Sequence, residues 1–150
     1  MIVFHRSLSQ LGPLPRSRAE LITMLTEHSA LIEGRVATYD LDQSGLVSLF
    51  ASQDSLYSRS YKTLTQMLGR AHAWLSCCSG SLLDEIEKQT VLVGYNLLGS
   101  YALARKQHGA PIEVVLPDDY PLMLSRVALI PRDAKAARPE RGLPRLFAVA

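Results

Sequence analysis

Cysteine is scarce in this sequence: Cys77 and Cys78 are its only two, and they are neighbours. A bridge between adjacent cysteines would strain the peptide between them and staple nothing, so a disulfide-built scaffold is excluded. The pair is expected as two small, buried or half-buried side chains. Long apolar runs are missing too. Stretches such as residues 91–104 are interrupted by Gly, Asn and Ser and fall short of the roughly 20 residues that a membrane helix needs. The opening Met1-Ile2-Val3-Phe4-His5-Arg6 has no basic region ahead of a long apolar segment and no small-residue cleavage site, so no secretory signal is read there. Charge of one sign is lacking as well. The formal net charge of +2 is spread along the chain, which argues against a phosphate-tracking surface and against nucleic acid as a partner.

The motifs of several enzyme classes are absent: there is no Gly-x-Ser-x-Gly elbow, no phosphate loop ending in Gly-Lys-Ser/Thr and no His-Glu-x-x-His. His5, His28, His72 and His108 are scattered without the spacing of metal ligands. No catalytic residue and no resident cofactor or metal is therefore expected, and the chain reads as a binder.

What the sequence does have is enough apolar content, 47% over 150 residues, for one ordinary core, so residues 1–150 are read as a single domain. Its elements alternate. Ile2-Val3-Phe4 reads as a strand leaving into a loop that ends at Pro13-Leu14-Pro15. Ser17 and Glu20 have capping-box spacing at the head of a helix that Gly34 closes. Residues 35–39 read as a strand and the segment after Ser44-Gly45 as a helix, with a further helical period from Tyr57 through Trp74. Residues 75–78 read as a short strand, 82–88 as a helix after Ser79-Gly80-Ser81, 91–95 as a buried strand and 97–108 as a helix closed by Gly109. Residues 112–116 and 123–130 complete the strands. Strands alternating with helices predict an α/β domain, three layers α/β/α around a mixed, mainly parallel sheet.

In such sheets ligands settle beyond the carboxyl ends of the strands, where helix N-termini present free N–H groups. Three stretches have that form: Tyr39 to Gly45, which contains Asp40 and Ser44; Ser79-Gly80-Ser81; and Tyr95 to Tyr101, which contains Asn96. Each sets small hydroxyl or amide side chains beside glycine, a pattern suited to an oxygen-rich anion. Singly, each is also an ordinary helix cap. Tyr95 and Tyr101 can hydrogen-bond a ligand or, as phenolates, hold ferric iron.

Val36-Ala37-Thr38-Tyr39-Asp40 with Ser44-Gly45, the run from Val93 to Ala102, and residues 116–131 resemble extracellular solute-binding proteins of the iron(III)/2-aminoethylphosphonate group of ABC transporters. The resemblance covers about residues 2–135, and residues 136–150 are atypical of it. It implies the second lobe of a two-lobed receptor of the type II periplasmic-binding-protein kind, which closes about a hinge on a small anion or chelated metal and delivers it to an ABC permease. By residue matching it implies Ser44, Gly45, Ser79, Gly80, Tyr95 and Asn96 as cleft-facing, with Arg126 for charge pairing. A periplasmic location follows from the resemblance, and a cytoplasmic one from the lack of a signal. The first lobe has no counterpart in the sequence, so self-association through apolar surface normally covered by it is expected. A ligand-sensing or regulatory module built on the same lobe is the alternative.

Overall fold

The computed structural model describes residues 1–43 and 45–123. Its sheet begins with β1 (Ile2–His5), a fully buried strand. After a 3₁₀ turn (Arg6–Gln10) and an extended segment come α1 (Arg18–Glu27) and the short α2 (Ser29–Ile32). The Ser17 hydroxyl accepts the Glu20 N–H at 3.1 Å, and the Glu20 carboxylate accepts the Arg16 N–H at 2.7 Å, so the spacing that predicted the helix start is a working cap. The predicted helix is divided at His28, and Gly34, at φ 69°, ends it.

β2 (Val36–Tyr39) follows, then α3 (Gly45–Tyr57) and α4 (Tyr61–Arg70). Here the sequence misled: residues 57–74 are not one helix. The chain turns at Ser58–Ser60, and Trp74 belongs to β3 (Trp74–Ser76). Ser79 to Ser81, expected ahead of a helix, are the first turn of α5 (Ser79–Glu87). β4 pairs only over Val93–Gly94, shorter than the apolar run around it. It leads to α6 (Gly99–Gln107) and β5 (Ile112–Val115). The strand read at residues 123–130 lies outside the described residues from 124 onward.

The strands lie in the order β3-β2-β4-β1-β5. β2 runs parallel to β3 and β4, whereas β1 is antiparallel to both β4 and β5, with Ile2 opposite Val115 and Val3 opposite Gly94. The sheet is therefore mixed and mainly parallel, as the alternation predicted, with the first strand of the chain inserted as the single antiparallel member. Successive side chains of β1 point to opposite faces. Ile2 and Phe4 pack into a core with Leu21 and Leu25 of α1 and Leu64 and Leu68 of α4. Val3 joins the core on the other face, with Leu82, Leu83 and Ile86 of α5 and Ala102 of α6. Helices on both faces make the three layers, and they bring the N-termini of α3, α5 and α6 to one edge of the sheet.

Candidate functional site at the carboxyl edge of the sheet

Because β2, β3 and β4 run the same way, the segments that leave them, beginning at Asp40, Cys77 and Tyr95, emerge side by side. Cross-links tie them into one surface. The Asp40 N–H donates to the Ser76 carbonyl at 2.9 Å, the Tyr95 N–H to the Ala37 carbonyl at 2.8 Å and the Thr38 hydroxyl to the Tyr95 carbonyl at 3.1 Å. The buried Tyr39 and Ser79 hydroxyls are hydrogen-bonded to each other, and the Leu98 N–H approaches both at 3.4 Å.

An open cavity of about 450 Å³ lies at this edge, walled among others by Tyr39, Asp40, Asp42, Tyr61, His72 and Asn96. That volume suits a small solute. Asn96 is the distinctive member. Its backbone is left-handed, at φ 67°, a conformation that asparagine tolerates better than most residues. Among the described residues its carboxamide has no hydrogen-bond partner. Another groove, of about 520 Å³, lies along α1 and the segment from Leu8 to Arg16, but none of its lining residues comes from a strand end.

Behind the cavity is a dense polar core. Arg18 is 2% exposed and Asp54 fully buried. The Arg18 guanidinium donates to Asp54 Oδ1 at 2.8 Å, to the Tyr95 hydroxyl at 3.0 Å, to Asp119 Oδ1 at 3.1 Å and to the Tyr120 carbonyl at 2.8 Å. The Tyr95 hydroxyl in turn donates to Asp54 Oδ2 at 2.6 Å. Arg18 also lies over the Tyr120 ring, 5.1 Å from its centroid, a cation–π arrangement. No pair in this group is left half-satisfied, as burial of charge demands.

Burial, and then the neighbouring Asp54 carboxylate, push the Tyr95 phenol well above its usual range. Its folded-state proton is held more tightly than the unfolded one, so its contribution to stability is complete below about pH 10 and is lost as pH rises beyond that. Unfolding free energies measured from pH 8 to pH 11 should fall on the alkaline side, and Tyr95→Phe should flatten that limb. Equal slopes in the two proteins would refute the assignment.

The residues read from the sequence thus divide. Asp40, Tyr95 and Asn96 line the cavity. Asp40 spends both carboxylate oxygens in its own turn, on the Asp42 N–H at 3.0 Å and Gln43 Nε2 at 2.6 Å. Tyr95 directs its hydroxyl into the Arg18 network. Ser79 is buried and engaged with Tyr39, and Gly80 sits behind it in the first turn of α5. Ser81 is exposed and bonds Ser76 at 2.7 Å. Gly45 is the exposed first residue of α3. Tyr101 does not line this cavity: it lies in the first turn of α6, in a separate depression with Arg105 and His108. Ser44 and Arg126 fall outside the described residues.

The cysteines correct the sequence reading. Both are exposed, and their sulfurs are joined in a disulfide between adjacent residues. Sequence reasoning also missed Tyr61 and His72, which line the cavity, and Arg18 and Asp54. An arginine in a capping turn and a lone aspartate in a Ser-rich helix are ordinary surface residues by pattern.

The fold and cavity define an α/β lobe with a solute-sized recess at its strand ends, the architecture of one lobe of a periplasmic binding protein. No protein-family model matches the sequence, and no curated protein does. Among solved structures the chain is similar to the substrate-binding protein of an ABC transporter from Agrobacterium tumefaciens. The TM-score is 0.77 at 31% identity, over 79% of this chain and 35% of that one. It shares its fold with the periplasmic binding protein P5PA, with a TM-score of 0.54 at 17% identity, over 78% of this chain and 36% of that one. The chain therefore spans about a third of the length of these structures. Both neighbours are binding proteins. Among the described residues no helix is long and apolar enough to cross a membrane.

Proposed function

We propose that this chain forms one wall of the solute-binding cleft of a periplasmic ABC-transporter receptor, binds a small oxygen-rich anion and catalyses no reaction. The carrying observation is the 450 Å³ cavity at the carboxyl edge, whose wall includes Asn96, a residue with no side-chain hydrogen bond among the described residues. Further support is the likeness to an ABC-transporter substrate-binding protein. Of the ligands considered, a phosphonate-type anion fits better than ferric iron. Tyr95 is held as a neutral phenol and is committed to Asp54 and Arg18, so it supplies no phenolate. A second lobe would close the cleft, and an ABC permease would receive the solute.

Calorimetric titration of the purified chain with 2-aminoethylphosphonate, inorganic phosphate and ferric citrate tests this. One wall alone should bind in the range of about 1 mM, or about −4 kcal/mol. Asn96→Gly keeps the left-handed backbone while removing the carboxamide, and it should weaken binding by at least about fivefold, the loss of one hydrogen bond. Tyr101→Phe, outside the cavity, should leave it unchanged. The proposal fails if no anion gives saturable heat, or if Asn96→Gly binds as well as the parent.

A further inference from the structure

The bonded pair Cys77–Cys78 is not needed by the cleft as described, and it cannot be a structural staple. A disulfide stabilises by closing a loop of chain in the unfolded state. Between adjacent residues there is no loop to close. Both residues are also exposed, whereas a bridge kept for packing would be buried.

Its position is specific. The pair forms the turn between β3 and α5 at the carboxyl edge, and Cys78 occupies the N-cap position of α5. A collar of hydrogen bonds surrounds it: Ser81 Oγ donates to the Cys78 carbonyl at 2.9 Å, the Cys78 N–H donates to Ser76 Oγ at 3.4 Å, and Ser76 and Ser81 are 2.7 Å apart. The next residue is Ser79, whose hydroxyl links Tyr39, at the end of β2, to Leu98 after β4. Whatever fixes the Cys77–Cys78 turn therefore fixes the residue that joins all three strand-end segments.

We propose that Cys77–Cys78 is a reversible thiol–disulfide exchange site that sets the rigidity of the cleft edge. Its co-reactant is a dithiol, supplied by a small molecule or by a protein carrying a paired-cysteine motif. One thiolate of the dithiol attacks the exposed Cys77 sulfur, and the Cys77–Cys78 bond breaks. Cys78 leaves as a thiolate at the positive end of α5, a placement that favours the leaving group. The second thiol of the dithiol then displaces Cys77, forming the dithiol's own disulfide. The protein gains two electrons and two protons, the dithiol loses them, and the turn is released from its ring.

The test uses the whole chain and no solute, so its outcome is independent of the anion-binding proposal. Thiols are counted by alkylation and intact mass under native conditions, first as isolated in air, then after dithiothreitol, then after oxidised glutathione. The expected sequence is none, both and none of the two cysteines reactive. Hydrogen exchange of a peptide covering residues 76–82 should accelerate by at least about threefold on reduction, because a local opening becomes easier, while α1 is unchanged. The double variant Cys77→Ser, Cys78→Ser should be indifferent to dithiothreitol in both readouts. Two reactive thiols in air that do not pair under oxidised glutathione would overturn the proposal. So would bridging between chains, or exchange that reduction leaves unaltered.

Discussion

Arg18→Ala is expected to destabilise the protein by about 3–5 kcal/mol, the loss typical of removing one partner from a buried ion pair. The substitution leaves the Asp54 carboxylate, fully buried, with the Tyr95 hydroxyl as its remaining donor among those described. It also removes the guanidinium donors to Asp119 Oδ1 and the Tyr120 carbonyl, keeping the backbone N–H of residue 18 on Asp119 Oδ2, so the segment beyond β5 should loosen. Urea unfolding followed by circular dichroism measures the loss. Asp54 should not be credited with the same sum as stabilisation, since most of the effect is the penalty of a charge left alone. Arg18→Met, Asp54→Leu and Tyr95→Phe together remove the charges and the orphan hydroxyl at once, and that triple variant should be more stable than Arg18→Ala alone. A loss below about 1 kcal/mol for Arg18→Ala would mean that the network is not closed in solution.

Phe4→Ala should cost a similar amount, about 3–5 kcal/mol, for a different reason. Phe4 is fully buried and lies on β1, which has β4 on one side and β5 on the other. Its ring fills the space between the sheet and the pair α1 and α4. A strand held on both sides cannot shift to close the gap, so the cavity persists and its cost adds to the lost transfer energy. Leu56→Ala is the matched control: at 74% exposure it should change stability by no more than about 0.5 kcal/mol. Thermal unfolding of the two variants side by side would refute the placement of Phe4 if their midpoints coincided.

The strand and helix alternation was legible because each segment carries its own period: Leu21 and Leu25 mark one helix, and residues 112–116 mark a strand. The caps at Ser17, Gly34 and Gly109 were legible for the same local reason. Pairing was not. Nothing within Ile2-Val3-Phe4 says that it lies between β4 and β5 and runs against both, because that choice depends on residues some ninety to a hundred and ten positions away. The break at Ser58–Ser60 was hidden by apolar residues that keep helical spacing across it. At the site, Asn96 could be read because a polar residue follows a buried strand. Ser79 was read for the right place and the wrong partner, since its hydroxyl turns inward to Tyr39. Arg18 and Asp54 meet only in three dimensions, thirty-six residues apart, with no spacing to announce them.

The place of β1 in the sheet also sets a timetable for biosynthesis. Among the described strands it leaves the ribosome before its partners β4 and β5, and Ile2 meets Val115 only when that residue emerges. At about 5–20 residues per second, the interval is roughly 6–20 s. For that time an apolar run with unmade backbone hydrogen bonds waits exposed on the nascent chain, the kind of segment that chaperones bind and that misassembles when crowded.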